Sequence, residues 1–396
     1  MRGTDFTQRH GMAPFLGLCL LGFAVFFGSY LRIPVLPLFA ASLGAGPAEV
    51  GLINGAFMVT AGVLSIPAGL LVDRFGRKRP AIGGILATAV SSLLISRCRF
   101  PGEMAAAYLL FGAGLAAFAP AMLSLVADTV PPDRTGQAYG WYTTAIYMAM
   151  TLGPAGGGWM AKNVGLAEVF LASGVLLTVL SFAALFLLPG GSPRHRTELH
   201  AILAAGSELL RNRTLTACLL ATVGSCVGFG VFLTFMPLAA AGRGHDPARI
   251  GLVFAAQAVT NVVSRIPIGS LADRVDRGRI VAAGLVALAA GLALMGEARH
   301  LGAMIGCAVL LGIGMALTYT AIGALIADGV PAARRGLAMG MYNSCIYLGM
   351  MAGSAAMGMA MKRIGFPAGF AVAGAVALAS VPVFLGLVRR QISPSP

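Results

Sequence analysis

The chain has 396 residues, of which 58% are hydrophobic and only 11% charged, and its mean hydropathy is +0.85. A water-soluble domain of this size needs charge across its surface, so this balance excludes a soluble globular protein and calls for a bilayer as the outer solvent. The formal net charge of +14 sits in short loops between apolar runs, which favours the anionic lipid surface over nucleic acid as its partner.

Apolar stretches fall near 14–40, 49–72, 80–97, 104–127, 136–160 and 166–188, then near 214–241, 249–272, 280–297, 301–327, 336–361 and 366–388. Each is long enough to cross about 30 Å of hydrocarbon at about 1.5 Å per residue. The first is too long for the apolar segment of a signal peptide and reads as a retained span. It carries Tyr30, Arg32, Pro34 and Pro37; the second carries Asn54 and the fourth Tyr108, with Asp128 at its end. The fifth holds Gly140, Ala149, Gly153, Pro154, Gly157 and Gly158. Residues 189–213 form the longest polar loop, giving an N-terminal bundle over 1–188, a cytoplasmic linker over 189–213 and a C-terminal bundle over 214–396. In the second half, Gln257, Asn261 and Arg265 share the eighth span, Tyr319 lies in the tenth, and the eleventh is rich in Met. The six Cys have no CxxC spacing and read as small packing residues, without a metal site or disulfide framework.

Alternate loops differ in basic residues. With the N-terminus inside, eighteen Lys and Arg fall on the cytoplasmic side and eight on the other, with Arg32 and Arg265 inside spans. The bias places both termini in the cytoplasm of a multi-pass inner-membrane protein.

The halves repeat at a constant offset of 200. Gly28, Pro37, Pro67 and Gly69 return as Gly228, Pro237, Pro267 and Gly269. Asp73, Arg74, Arg77 and Arg79 return as Asp273, Arg274, Arg277 and Arg279, and Asp128 and Arg134 as Asp328 and Arg334. One ungapped register over more than 120 residues indicates two six-helix halves in the same orientation.

The run Gly69-Leu70-Leu71-Val72-Asp73-Arg74-Phe75-Gly76-Arg77-Lys78-Arg79 resembles the loop signature of the major facilitator superfamily, and its second copy departs from it at Asp276, where the family prefers Gly. The resemblance implies an all-α membrane protein of twelve helices, two six-helix bundles rocking about a central site. It also implies a gating cluster: Gly69, Asp73, Arg74, Gly76, Arg77, Asp128 and Arg134, with Asp273, Arg274, Arg277, Asp328 and Arg334, latching the outward-facing state. The fifth span resembles the antiporter motif of the same family, with Ala149 in place of Gly; Gly140, Gly153, Pro154, Gly157 and Gly158 carry that likeness and point to an exporter. Gly and Pro there also serve close helix packing.

A polar group inside a span costs free energy, about 2.5–3.5 kcal/mol for a central Arg on insertion scales. Arg32 and Arg265 therefore need a partner, a cavity or a task. They have no counterparts at the repeat offset, where Phe232 and Ser65 stand, and no Asp or Glu lies deep in any span. Two deep cations without carboxylates suit a carboxylate or another anion. Arg265, Gly269, Ala272 and Asp273 also resemble a helix of the monocarboxylate and oxalate carriers. Tyr30, Asn54, Tyr108, Gln257, Asn261 and Tyr319 are the accompanying candidate binding residues. The tyrosine pairs 142/342 and 147/347 read as structural because both halves carry them.

Neither a nucleophile elbow, an HExxH pair nor a phosphate loop is present, so an enzyme is not expected, nor any cofactor. The expected function is secondary active transport of a small organic solute, as an exporter working by solute:proton antiport. Carriage of a small organic anion by symport or exchange, and a non-transporting sensor, are the alternatives. The expected partners are the solute, protons and the bilayer, and the chain is expected to act as a monomer.

Overall fold

The computed structural model describes residues 12–131, 134–189, 206–272, 274–331 and 334–389. The first half comprises α1 (Met12–Tyr30), α2 (Val35–Ser42), α3 (Pro47–Phe75), α4 (Lys78–Ile95), α5 (Pro101–Thr129), α6 (Thr135–Asn163) and α7 (Leu166–Leu187). The second comprises α8 (Arg213–Gly242), α9 (Pro247–Ala272), α10 (Arg277–Glu297), α11 (Leu301–Gly329) and α12 (Arg335–Arg389).

The first span is broken into α1 and α2. Pro34 has no N–H, so the turn tightens: Ile33 donates to the Tyr30 carbonyl, and Val35 and Leu36 both bond that of Arg32. The last two spans run on as α12, with a break at Gly365, whose φ of 76° is left-handed and needs glycine. Nine stretches among the described residues have the length and hydropathy to cross a membrane, α12 counting once for its two spans. The two others are the short α4, which opens on Lys78 and Arg79, and the polar α6. With these the chain has twelve spans.

The repeat is visible in the backbone. Gly44 and Gly244 have φ of 90° and 82°, and Gly165 and Gly365 also adopt positive φ. Gly112 packs on the Phe57 carbonyl of α3, and Gly312 packs on the Gln257 carbonyl of α9. Each half has its own core, around Phe118 and Phe170 in the first, and around Phe232 and Leu288 in the second. Helix starts explain the acidic residues near span ends: the Glu49 carboxylate accepts from the Gly46 N–H (2.9 Å) and that of Asp246 from the Arg249 N–H (2.9 Å).

The end bearing turns 43–46 and 243–246 is called the upper end here, and the end bearing 76–77 and 274–276 the lower end. The expected linker falls largely on 190–205, outside the described residues.

Candidate functional site: a cavity between the halves

A cavity of about 490 Å³ lies on the seam between the halves. The first half contributes Tyr30, Phe57, Tyr108, Phe111 and Tyr147, and the second Gln257, Asn261, Arg265, Tyr319, Tyr342 and Tyr347. Six of the eight expected binding residues therefore meet in one place: Tyr30, Tyr108, Gln257, Asn261, Arg265 and Tyr319. Tyr147, Tyr342 and Tyr347 belong to the wall too, which corrects their reading as scaffold. Their register was the available signal, because α6 and the start of α12 present pseudo-equivalent faces to the same space. Tyr142 alone of the four is off the wall, buried and seated against Gly22. Asn343 and the methionines 150, 315, 339 and 350 also line it; sequence reasoning gave Asn343 no role.

Arg265 is the one charged residue on this wall among the described residues. Its Nε donates to Asn261 Oδ1 (3.1 Å), one helical turn earlier, which fixes the guanidinium plane. The Cζ atom stands 4.5 Å from the centroid of the Tyr147 ring across the seam.

Arg32 does not line the cavity. It is fully buried in the break between α1 and α2, with Nε donating to the Ser29 carbonyl (3.1 Å) and both Nη groups without a hydrogen-bond partner. Its Cζ lies 3.6 Å from the Phe111 centroid and 5.8 Å from that of Tyr108, so these two rings separate it from the cavity. A cation–π contact contributes about 0.5–2 kcal/mol, less than the several kcal/mol lost by stripping water from a guanidinium. The charge is held there at a net cost.

Asn54 also lies off the wall. Its Nδ2 donates to Thr234 Oγ1 (3.1 Å), which bonds Ser354 Oγ (2.7 Å), a buried polar chain joining the halves above the cavity. Higher still, two backbone contacts related by the repeat close the seam. Gly51 packs against Ser354 and Gly358, and Gly251 against Pro154 and Gly158. The antiporter-like residues Pro154 and Gly158 thus bind α6 to α9, while Gly153 and Gly157 seat α6 on Tyr30 and Leu31 of the first span. A Cβ added at Gly140, further down, would meet no atom within 4 Å, nor would one at Gly269, Gly323, Gly336 or Gly340. Lys162 and Asp246 add an ion pair across the top (3.1 Å).

Two similar helical halves, a central cavity and a glycine-closed seam make one fold. The chain belongs to the major facilitator superfamily. Residues 18–246 and 218–396 each match that family. Over 347 residues the chain is 23% identical to an uncharacterised MFS-type transporter of Methanocaldococcus jannaschii, covering 87% of this chain and 90% of that one. It is 23% identical to the staphylopine export protein of Staphylococcus aureus, over 89% and 90% of the two chains. A shorter match, 28% over 45% of each chain, joins it to multidrug resistance protein 2 of Bacillus subtilis. The crystal structure of the nucleoside transporter NupG superposes with a TM-score of 0.79 at 13% identity, covering 96% of this chain and 100% of that one. A peptide-conjugate complex of a POT family transporter gives 0.80 at 12%, over 97% and 99%. These structures share the fold.

The superfamily's loop cluster is partly visible. Arg77 pairs with Asp128, and Arg277 with Asp328, each inside its own half. Arg334 pairs with Glu208 (2.8 Å), and both Arg134 and Arg334 tie their backbone N–H to the prolines 131 and 331. Arg274 is exposed. Gly76 takes φ 76°, the left-handed turn out of α3. Asp276 replaces it in the second half without strain, because there φ is −52° and the carboxylate caps α10 at the Arg279 N–H (2.9 Å). Asp273 lies outside the described residues, as do the side chains of Asp73 and Arg74.

Proposed function

We propose that this superfamily member is a secondary active transporter that exports a small organic solute across the inner membrane in exchange for protons, by alternating access. The observation that carries the reading is the cavity on the seam, with the halves packed backbone to backbone above it and the glycines below it facing open space. Positive-inside bias assigns the lower end to the cytoplasm, with both termini. The structure is then read as an inward-facing state, with the upper seam closed by Gly51 and Gly251 and the Arg77–Asp128 and Arg277–Asp328 pairs each formed within one half.

Export is supported by the staphylopine exporter and the multidrug resistance protein among the relatives, and by the packing of the α6 motif on α9. Proton exchange rests on the motif. No carboxylate lines the cavity among the described residues, so the proton step is assigned to Asp128 at the lower end of α5.

The test is solute efflux from cells with and without the gene across a broad compound panel, repeated in proteoliposomes with an imposed proton gradient. Deletion should raise retention of, or sensitivity to, at least one compound. Unchanged efflux of every compound overturns export. Gradient-driven flux that survives Asp128→Asn overturns the assignment of the proton step.

A further inference from the structure

Resting on the transport reading, the charges around the cavity define the solute further. We propose that it is an amphipathic organic anion, one carboxylate on an aromatic or apolar body, with its carboxylate on Arg265 and its body among Tyr30, Phe57, Met315, Tyr319 and Tyr347.

Arg265 supplies the anchor. Its Nε is occupied by Asn261, which leaves the paired Nη groups in a fixed plane, the geometry that binds a carboxylate through two parallel hydrogen bonds. Arg32 supplies a second positive charge one ring behind the wall. It is 0% exposed, its two Nη groups have no partner, and the rings of Phe111 and Tyr108, both on the cavity wall, lie 3.6 and 5.8 Å from its Cζ. Side chains between a buried charge and a cavity do not screen it as water would, so its field reaches the solute. Nothing on the wall offsets these charges, for the described lining residues include neither Asp nor Glu. The acids of the lower span ends are already engaged, Asp128 with Arg77 and Asp328 with Arg277.

The aromatic faces point the same way. Rings in a solute cavity are natural seats for a lipophilic cation. Here the rings of Phe111 and Tyr108 are taken by Arg32, and that of Tyr147 by Arg265. A cationic solute would find those three faces occupied and, on the other rings of the wall, would meet two like charges. A neutral solute would leave both arginines unpaired. An anion pairs with Arg265 and lies in the field of Arg32.

The experiment uses the full chain in lipid nanodiscs and three probes sharing one body: 2-naphthoate, 2-naphthylmethanol and 2-naphthylmethylammonium. Calorimetry should rank naphthoate at least about ten-fold tighter than the alcohol, and the ammonium weakest. Arg265→Gln should weaken naphthoate roughly 100-fold and leave the alcohol within about two-fold. Arg32→Gln should weaken naphthoate about ten-fold, and Arg32→Lys, which keeps the charge, should recover most of it. Equal or tighter binding of the ammonium, no binding by any probe at millimolar concentration, or an Arg265→Gln protein that keeps naphthoate affinity overturns the proposal. Counterflow in proteoliposomes separates this from the reading beneath it. Counterflow of the ammonium alone defeats the anion and leaves the carrier standing. Naphthoate binding with the expected Arg dependence, but no counterflow of any probe, defeats the carrier and leaves the anion site.

Discussion

The guanidinium of Arg265, on α9 of the second half, lies 4.5 Å from the centre of the Tyr147 ring, on α6 of the first. The charged group on the cavity wall is thus also a contact between the two bodies that must move apart for transport. Whatever binds Arg265 acts on the seam directly, because it changes how well that cation rests on the opposing ring. Coupling of occupancy to rocking needs no longer route than this side chain.

Tyr147→Phe and Tyr147→Leu separate the ring from its hydroxyl. The cation–π contact depends on the ring face and contributes about 0.5–2 kcal/mol. Solute affinity should therefore be nearly unchanged in the Phe variant and altered about 2- to 30-fold in the Leu variant, as read by titration of purified protein.

The upper seam admits no side chain at Gly51, Gly158, Gly251 or Gly358. A Cβ on Gly251 meets the Pro154 carbonyl, and one on Gly51 meets that of Ser354. Gly251→Val and Gly51→Val should keep the chain folded, hold the upper ends apart and abolish transport. Spin labels on turns 43–46 and 243–246 should report the longer distance. An unchanged distribution would remove the seam from the gating scheme.

Asp246 shows how little pH should matter to the upper ion pair. The Arg249 N–H, and then Lys162, hold its carboxyl below the ordinary value of about 3.9. The part of that lowering due to Lys162 stabilises the closed seam above the ordinary value, and it is lost only as pH falls through the lowered one. Between pH 5 and 8 it stays flat. Asp246→Asn should shift the conformational equilibrium less than about five-fold, as exposed pairs do.

Arg32→Met exchanges a buried, unpaired cation for an apolar chain of similar length. Such replacements are neutral or stabilising by about 1–4 kcal/mol. The variant should unfold at a higher temperature while losing naphthoate affinity, a sign that the arginine is kept for function rather than stability. A lower unfolding temperature with unchanged affinity would make it a structural residue.

How much of this was legible beforehand differs by feature. Arg265 and Asn261 are one turn apart on a helix whose limits hydropathy fixes, so their hydrogen bond follows from spacing alone. The Arg77–Asp128 pair was readable too, because both lie at span ends on the lower side. Arg32 was recognisable as a deep cation, but its place behind Phe111 was not: the direction of a side chain in a proline-broken turn depends on what packs around it. Asn54 and Thr234 are 180 residues apart, and nothing in either span announces that the two meet.

The sequence by itself determined the twelve spans, their two-fold repetition and the bias of basic loops, since each follows from local composition and a fixed register. The tertiary structure decided which polar groups share the cavity, which arginine is reachable and which glycines close the seam. Those depend on how helices far apart in the chain turn their faces to one another, and the pattern within a single helix does not encode its neighbour's rotation.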